Sequence, residues 1–321
     1  NDPTIEWLLE AADPAVRHLA LTDLLDRPAG EPEVRQAHDE IGKDRHLQDL
    51  LGPDHPDGQG VAGGYQKFQG AHWRLVSAVE LGVPAGEPTA LAMLDPVLDF
   101  YVSVHHRKRI PTIDGRVRRC ASQESNVLAV ACRLGIADDP RAELLARSLV
   151  EWQWPDGGWN CDVNPEARHS SFNESLIPIW GLTEFHRATG DEAARATAGR
   201  AAELFLRHRM FRSDHTGEVI NPAWLKLRYP AYWRYDVLPG LLVLSRFGPL
   251  ADARIDEAVD LIAGKRRQDG RWWPEGYHWR RPGLKGSGVE ITDWSRREPS
   301  KMITLNVLRV LKAAGRLEAG R

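Results

Sequence analysis

The chain has 321 residues, is 42% hydrophobic and 27% charged, and carries a formal net charge of −3 from 42 basic and 45 acidic side chains. That balance provides no basic face for nucleic acid or an anionic bilayer. The longest apolar run, Val237 to Leu244, is broken by Pro239 and Gly240 and is too short to span a membrane, which leaves room only for peripheral membrane contact. The three cysteines, Cys120, Cys132 and Cys161, form no Cys-x-x-Cys pair. The opening Asn-Asp-Pro-Thr-Ile-Glu has neither the basic start nor the apolar stretch of a secretory leader, so a reduced, cytoplasmic setting is expected. Twelve tryptophans call for aromatic packing layers or an aromatic-lined cavity.

In chain order, Ala15–Leu25 places Val16, Leu19, Ala20 and Leu24 on one helical face, and Pro32–Ile41 follows a break at Pro28 and Gly30. Glycine-rich Gly60–Gly64 lacks a following Lys-Ser/Thr and reads as a turn rather than a phosphate loop. Apolar helical runs then recur at Trp73–Leu81, Asn126–Leu134, Leu176–His186, Val237–Phe247 and Ile303–Ala313. They end at Gly82, Gly135, Gly190, Gly248 and Gly315, where left-handed caps are expected. Amphipathic helices alternate with them at Arg141–Glu151, Asp191–Arg207 and Asp252–Lys265. Turns at Asp57-Gly58, Asp114-Gly115, Asp156-Gly157, Thr216-Gly217 and Asp269-Gly270 punctuate the series.

The repeating unit is a helical hairpin of roughly 50 to 60 residues that cannot bury its own apolar face and must stack on its neighbours. One layer is apolar on nearly every side, Val237–Phe247 most of all, and the other is amphipathic. This pairing favours closure, with inner helices ringed by outer ones. The expectation is an all-α, (α/α) toroid of five to six hairpins in one domain over 1–321, with 1–45 as the opening hairpin packed on the ring.

Gln153-Trp-Pro-Asp-Gly-Gly-Trp-Asn-Cys161 is similar to the Gln/Trp turn of terpenoid cyclases, and Arg267-Gln-Asp-Gly-Arg-Trp-Trp273 is a weaker copy. In purely physical terms, Asp-Gly-Gly makes a tight turn, Gln153 can cap helix-end groups, and Trp159 can cover the turn. The chain resembles the squalene-cyclase and protein-prenyltransferase superfamily, in particular a short bacterial group with that label. Further stretches carry the likeness: Asp13-Pro-Ala-Val-Arg17, Gly70-Ala-His-Trp-Arg74, Asp138-Asp-Pro-Arg141, His169-Ser-Ser-Phe172, Thr216-Gly-Glu-Val219 and Trp233-Arg-Tyr-Asp236. The resemblance implies the toroid, and a central cavity for an apolar, isoprenoid-like molecule with acid–base cyclisation or isomerisation chemistry. Class II terpene cyclases carry an Asp-x-Asp-Asp acid motif, and protein prenyltransferases bind zinc through Asp, Cys and His. This chain has no Asp-x-Asp-Asp and no Asp-x-Cys near Ser170–Asn173. A binding or scaffold protein that keeps the ring without catalysis is therefore the alternative.

In such a ring the inner helices run parallel and their N-termini gather at one mouth. The catalytic candidates there are Asp236, Glu124, Glu174, His72 and His169. The cavity candidates are Trp73, Arg74, Cys120, Gln123, Asn173, Trp180, Tyr232, Trp233 and Tyr235. Each also has a structural reading: first-turn acids serve the helix dipole, buried histidines satisfy hydrogen bonds, and tryptophans fill cores. Convergence of acids, histidines and an arginine is what favours a site, because burying them as pure structure is costly. Asp236, ahead of the most apolar helix, is expected to be either a proton donor or a salt-bridge partner, with Arg234 or Arg74 as the foreseen cation. Cys161, Asp162 and His169 offer a loosely spaced zinc set without a further strong ligand nearby. Cys120-Ala-Ser-Gln123 has the Cys-x-x-Gln spacing of thioester domains but not their flanking residues. No motif calls for a nucleotide cofactor.

Overall fold

The structure is a computed structural model that describes residues 2–52 and 65–317. The turns expected at Asp57-Gly58 and Gly60–Gly64 lie outside these residues. The regular structure of the described chain is almost all helix, with long irregular segments between the helices. It opens with α1 (Pro3–Leu8), α2 (Pro14–Leu19), which runs on as a π-helical turn over Ala20–Leu24, α3 (Pro32–Glu40) and α4 (Arg45–Leu51). The five apolar runs become α5 (Ala71–Glu80), α8 (Ala121–Arg133), α10 (Phe172–Thr189), α12 (Val237–Phe247) and α14 (Lys301–Ala313). Between them lie α6 (Pro88–Val102), the short α7 (Val104–Arg107), α9 (Pro140–Glu151), α11 (Glu192–Arg207) and α13 (Asp256–Ala263). No described helix is long and apolar enough to cross a membrane.

Capping explains most boundaries. Asp139, Asp191 and Ser300 each accept a backbone N–H of the first turn that follows them. Gly82, Gly135, Gly190 and Gly315 take the expected positive φ. Gly248 does not: its φ of −174° is extended backbone. The cause is Pro249, whose ring pushes the residue before it out of helical space. Asp114 and Gly115 also differ from a plain inter-helix turn. Their φ values of 49° and 70° close a two-residue β-ribbon, β1 (Thr112–Ile113) against β2 (Arg116–Val117).

Packing sorts the helices into two rows. α5, α8, α10, α12 and α14 neighbour one another in that order, and α6, α9, α11 and α13 lie against them. The opening segment touches both ends of the first row, through α2 and its π turn on α14 and through α4 on α5. Where α8 meets α10 the backbones come very close. A Cβ on Gly181 would sit 2.6 Å from the carbonyl oxygen of Ser125, so only glycine fits. One apolar core runs from Leu8 to Leu311.

Two turns tie successive hairpins with the same geometry. Trp159 is fully buried; its indole donates to the Leu149 carbonyl in the last turn of α9 (3.1 Å), and its backbone N–H to Ser175 Oγ on α10 (3.0 Å). Trp272 donates to the Ile262 carbonyl at the end of α13 (2.7 Å), and its backbone N–H to Thr304 Oγ1 on α14 (3.2 Å). Gln153 extends the first turn to the next hairpin, donating to the Gly157 and Thr197 carbonyls and accepting from Arg200. These indoles satisfy C-terminal helix carbonyls that would otherwise be buried without partners.

Candidate functional site

Two groupings of polar side chains lie at opposite ends of the first-row helices. At the C-terminal ends, the last turns of α5, α8, α10, α12 and α14 join the π turn after α2 around a cavity of about 850 Å³. Its wall alternates in charge. Glu80 faces Arg246 as a two-pronged pair, with Nη1–Oε1 at 2.7 Å and Nη2–Oε2 at 2.9 Å. Arg309 pairs with Asp23, Lys312 with Asp26 (2.7 Å), and Arg187 with Glu184 (3.5 Å). Burial is the largest single influence and would push the Glu80 carboxyl up, but the charge and hydrogen bonds of Arg246, with the charges of Arg309 and Arg133, together outweigh it and hold Glu80 below the usual range.

Glu80, Leu242 and Arg246 also border a narrower, mostly apolar cavity of about 70 Å³ between α5, α10, α12 and the segment before α12. Val76, Ile177, Trp180, Tyr232 and Leu238 form its walls. Tyr229 also lines it, and its buried hydroxyl has no hydrogen-bond partner among the described residues. Arg246 lies over the Trp180 ring at 5.1 Å. Of the cavity residues expected from sequence, Trp180 and Tyr232 are on this wall.

At the N-terminal ends, Cys120 at the N-cap of α8, Cys161 in the loop after Trp159, and Glu174 in the first turn of α10 bring their sulfur and oxygen atoms within 4.8 Å of one another. The Cys161 thiol donates to Glu174 Oε1 (3.6 Å), while Glu174 Oε2 accepts from the backbone N–H (3.0 Å) and hydroxyl (2.9 Å) of Ser122. A hydrogen bond from Cys161 lowers the Cys120 thiol, and the same contact together with burial raises Cys161. Burial raises Glu174 against the opposing Ser122 bonds. Tyr65 borders the group, pushed up to about 12 chiefly by burial and then by the charges of Cys120, Glu174 and Cys161.

The metal set expected from sequence is thus regrouped. Asp162 and His169 are exposed and do not join Cys161. Asp162 is drawn outward by a ladder of Asx turns: its N–H donates to Asn160 Oδ1 and its carboxylate accepts the Asn164 N–H, both at 2.9 Å. His169 contributes only its carbonyl, to Asn160 Nδ2. Gln123 is held between the Tyr65 and Tyr101 hydroxyls rather than facing Cys120 as a thioester partner.

The other candidates are held in local structural surroundings. Glu124 is buried against Arg119 and His106. His72 is buried among Tyr65, Trp73 and Tyr101 rings with neither nitrogen bonded to a described residue. Arg74 reaches away from the helix row to the Leu50 and Gly52 carbonyls at the end of α4. Trp73 and Trp233 pack, tilted or edge-on, in a cluster with the stacked pair Phe68 and Tyr232. Asn173 accepts the Tyr235 N–H, joining α10 to α12, and the Tyr235 hydroxyl donates to the Met210 carbonyl.

Asp236 is 1% exposed and has two partners, Arg228 (2.6 Å) and His278 Nε2 (3.0 Å), neither of them the arginines foreseen. Its carboxylate makes no capping bond and lines neither cavity. Asp236→Asn, which keeps the shape and removes the charge, is expected to cost about 3 kcal/mol by leaving the largely covered Arg228 without its counter-ion. Urea unfolding measures this, and an unchanged midpoint would show that the carboxylate is not a structural tie.

The last-turn charges escape the sequence reading because the C-terminal ends are read there only for their stop glycines. A signal exists: Glu80, Arg133 and Arg246 each stand two residues before a stop glycine, at the tail of an otherwise apolar run. No family model matches the chain, and no curated protein or solved structure matches it.

Proposed function

We propose that the chain is an α/α toroid of the squalene-cyclase-like kind that binds a small amphiphilic, isoprenoid-like molecule. Its short apolar part would sit between α5, α10 and α12 and its polar head among the charges of the wider cavity. The observation that carries this reading is the sharing of Glu80, Leu242 and Arg246 by the apolar and charged cavities. Support for the ring comes from the opening segment bearing on both ends of the helix row, and from the last turns of six helical segments lining one space. The unpartnered Tyr229 hydroxyl offers a ligand one hydrogen bond inside the apolar part.

Size and charge narrow the reading further. On a scale where one water needs ~10–15 Å³, a cavity of about 70 Å³ takes a short branched group, not a long prenyl chain. Glu80, held ionised by Arg246, is poorly placed to protonate an alkene. Capture of the ligand is therefore better supported than acid-initiated cyclisation.

The test is calorimetric titration with prenyl alcohols and prenyl diphosphates of increasing chain length. Short-chain members are expected to bind, and Leu242→Trp, which fills the junction of the two cavities, to weaken them at least about tenfold with an unchanged helical circular-dichroism spectrum. Failure of every member to bind the wild-type chain, or equal binding by Leu242→Trp, would overturn the proposal.

A further inference from the structure

The cluster of Cys120, Cys161 and Glu174 stands at the far end of α10 from the charged cavity and plays no part in the reading above. Its assembly is built into the fold. Arg118 and Asn160 form a parallel bridge that sets the two strands of chain side by side, so that Cys120 and Cys161 follow as neighbours. Arg118 donates to the Ala167 carbonyl (2.7 Å), and Asn160 to the His169 carbonyl (2.9 Å), closing the loop that leads into α10 and Glu174. Trp159, immediately before this loop, is fixed by its buried indole and by the Ser171 N–H on its carbonyl.

We propose that Cys120, Cys161 and Glu174 form a zinc site with three protein ligands and one open coordination position. Two soft sulfurs with one carboxylate oxygen are a donor set that zinc takes and that magnesium or calcium does not. Zinc–sulfur and zinc–oxygen bonds of about 2.3 and 2.0 Å in a tetrahedron place ligand atoms roughly 3.5–3.8 Å apart. The Cys161–Glu174 separation of 3.6 Å already meets this, and the outer limit of 4.8 Å for the whole set leaves only a small inward movement. Glu174 is oriented as a ligand should be. One oxygen is occupied by two bonds from Ser122, and the other is turned to the thiols. No fourth His, Cys, Asp or Glu among the described residues joins the set, and water or a ligand donor atom would complete the tetrahedron.

Binding converts both thiols to thiolates and releases their two protons to solvent, together with any proton that burial keeps on the Glu174 carboxyl. The assembled site then carries one net negative charge, from the two zinc charges against two thiolates and one carboxylate. Affinity therefore falls as the solution is acidified.

The full chain, reduced and stripped of metal with a chelator, is titrated with cobalt(II) and then with zinc. One cobalt per chain is expected, with thiolate-to-metal charge transfer in the near ultraviolet, strong tetrahedral visible bands, and full displacement by one equivalent of zinc. Cys120→Ser and Cys161→Ser each reduce the charge transfer and weaken zinc binding at least about tenfold. Glu174→Gln keeps the charge transfer and weakens binding. Cys132→Ser, at the other end of α8, changes neither. If a serine variant fails to fold, zinc protection of Cys120 and Cys161 against alkylation in the wild-type chain, read by peptide mass mapping with Cys132 as reference, supplies the same answer. Absence of charge transfer in the reduced chain would overturn the proposal. So would a band that survives both serine substitutions, or alkylation of Cys120 and Cys161 that zinc does not slow.

Discussion

Trp159→Ala is expected to lower unfolding free energy by about 4 kcal/mol, near the upper end for a single core truncation. The side chain is fully enclosed and its indole holds the Leu149 carbonyl at the end of α9. Truncation removes the packed ring and leaves that carbonyl buried without its donor. Trp159→Phe separates the two losses, because most of the ring volume stays while the hydrogen bond goes; a cost of about 1–2 kcal/mol is expected. Trp272 makes the same two bonds to α13 and α14, so Trp272→Ala should match Trp159→Ala to within about 1 kcal/mol. Urea unfolding of the four chains checks all of this. A loss below about 1 kcal/mol for Trp159→Ala would mean that the turn does not hold the hairpins together.

How much of this was legible in the sequence depended on how local the cause was. The apolar run Val237–Phe247 is a helix with those same ends, because its apolar composition and the Gly248-Pro249 stop both act within a few residues. The Gln/Trp turn was legible for the same reason, except that Gln153, expected to cap helix-end groups, instead donates to the Gly157 carbonyl in the turn and the Thr197 carbonyl inside α11. Gly248 was misread through attention to glycine without the proline after it, although Pro249 was equally visible. The ribbon around Asp114-Gly115 was missed because its strands are only two residues long and leave no alternation to read. Partner choice was the least legible. Asp236 was placed correctly before α12, yet its cations, Arg228 and His278, come from irregular segments that no periodicity locates. The meeting of Cys120 with Cys161 rests on one long-range bridge between Arg118 and Asn160, which no spacing rule anticipates. The cavity wall was expected at the helix starts because dipoles and caps draw attention there, whereas the two cavities that share Glu80, Leu242 and Arg246 lie at the middle and the tails of the same helices.

Acid should destabilise this protein through His72. Burial alone holds the imidazole down to about 3 in the folded chain, against an ordinary value of 6.5. Between those two values the unfolded chain binds a proton at this position and the folded chain does not, so stability rises with pH across the window and falls as pH drops through it. The neutral ring contributes its full share above about pH 6.5, and one such site loses about 3 kcal/mol on going from about pH 7 to about pH 4. His72→Leu removes the titrating group while keeping an apolar side chain against Tyr65, Trp73 and Tyr101. The variant need not equal the wild type in absolute stability; the slope is the readout. Urea unfolding of both chains at a series of pH values should show the variant gaining on the wild type by about 3 kcal/mol over that interval. Carboxylates common to both chains, Glu80 among them, cancel in the difference. Parallel stability curves for the two chains would mean that His72 takes up its proton inside the fold.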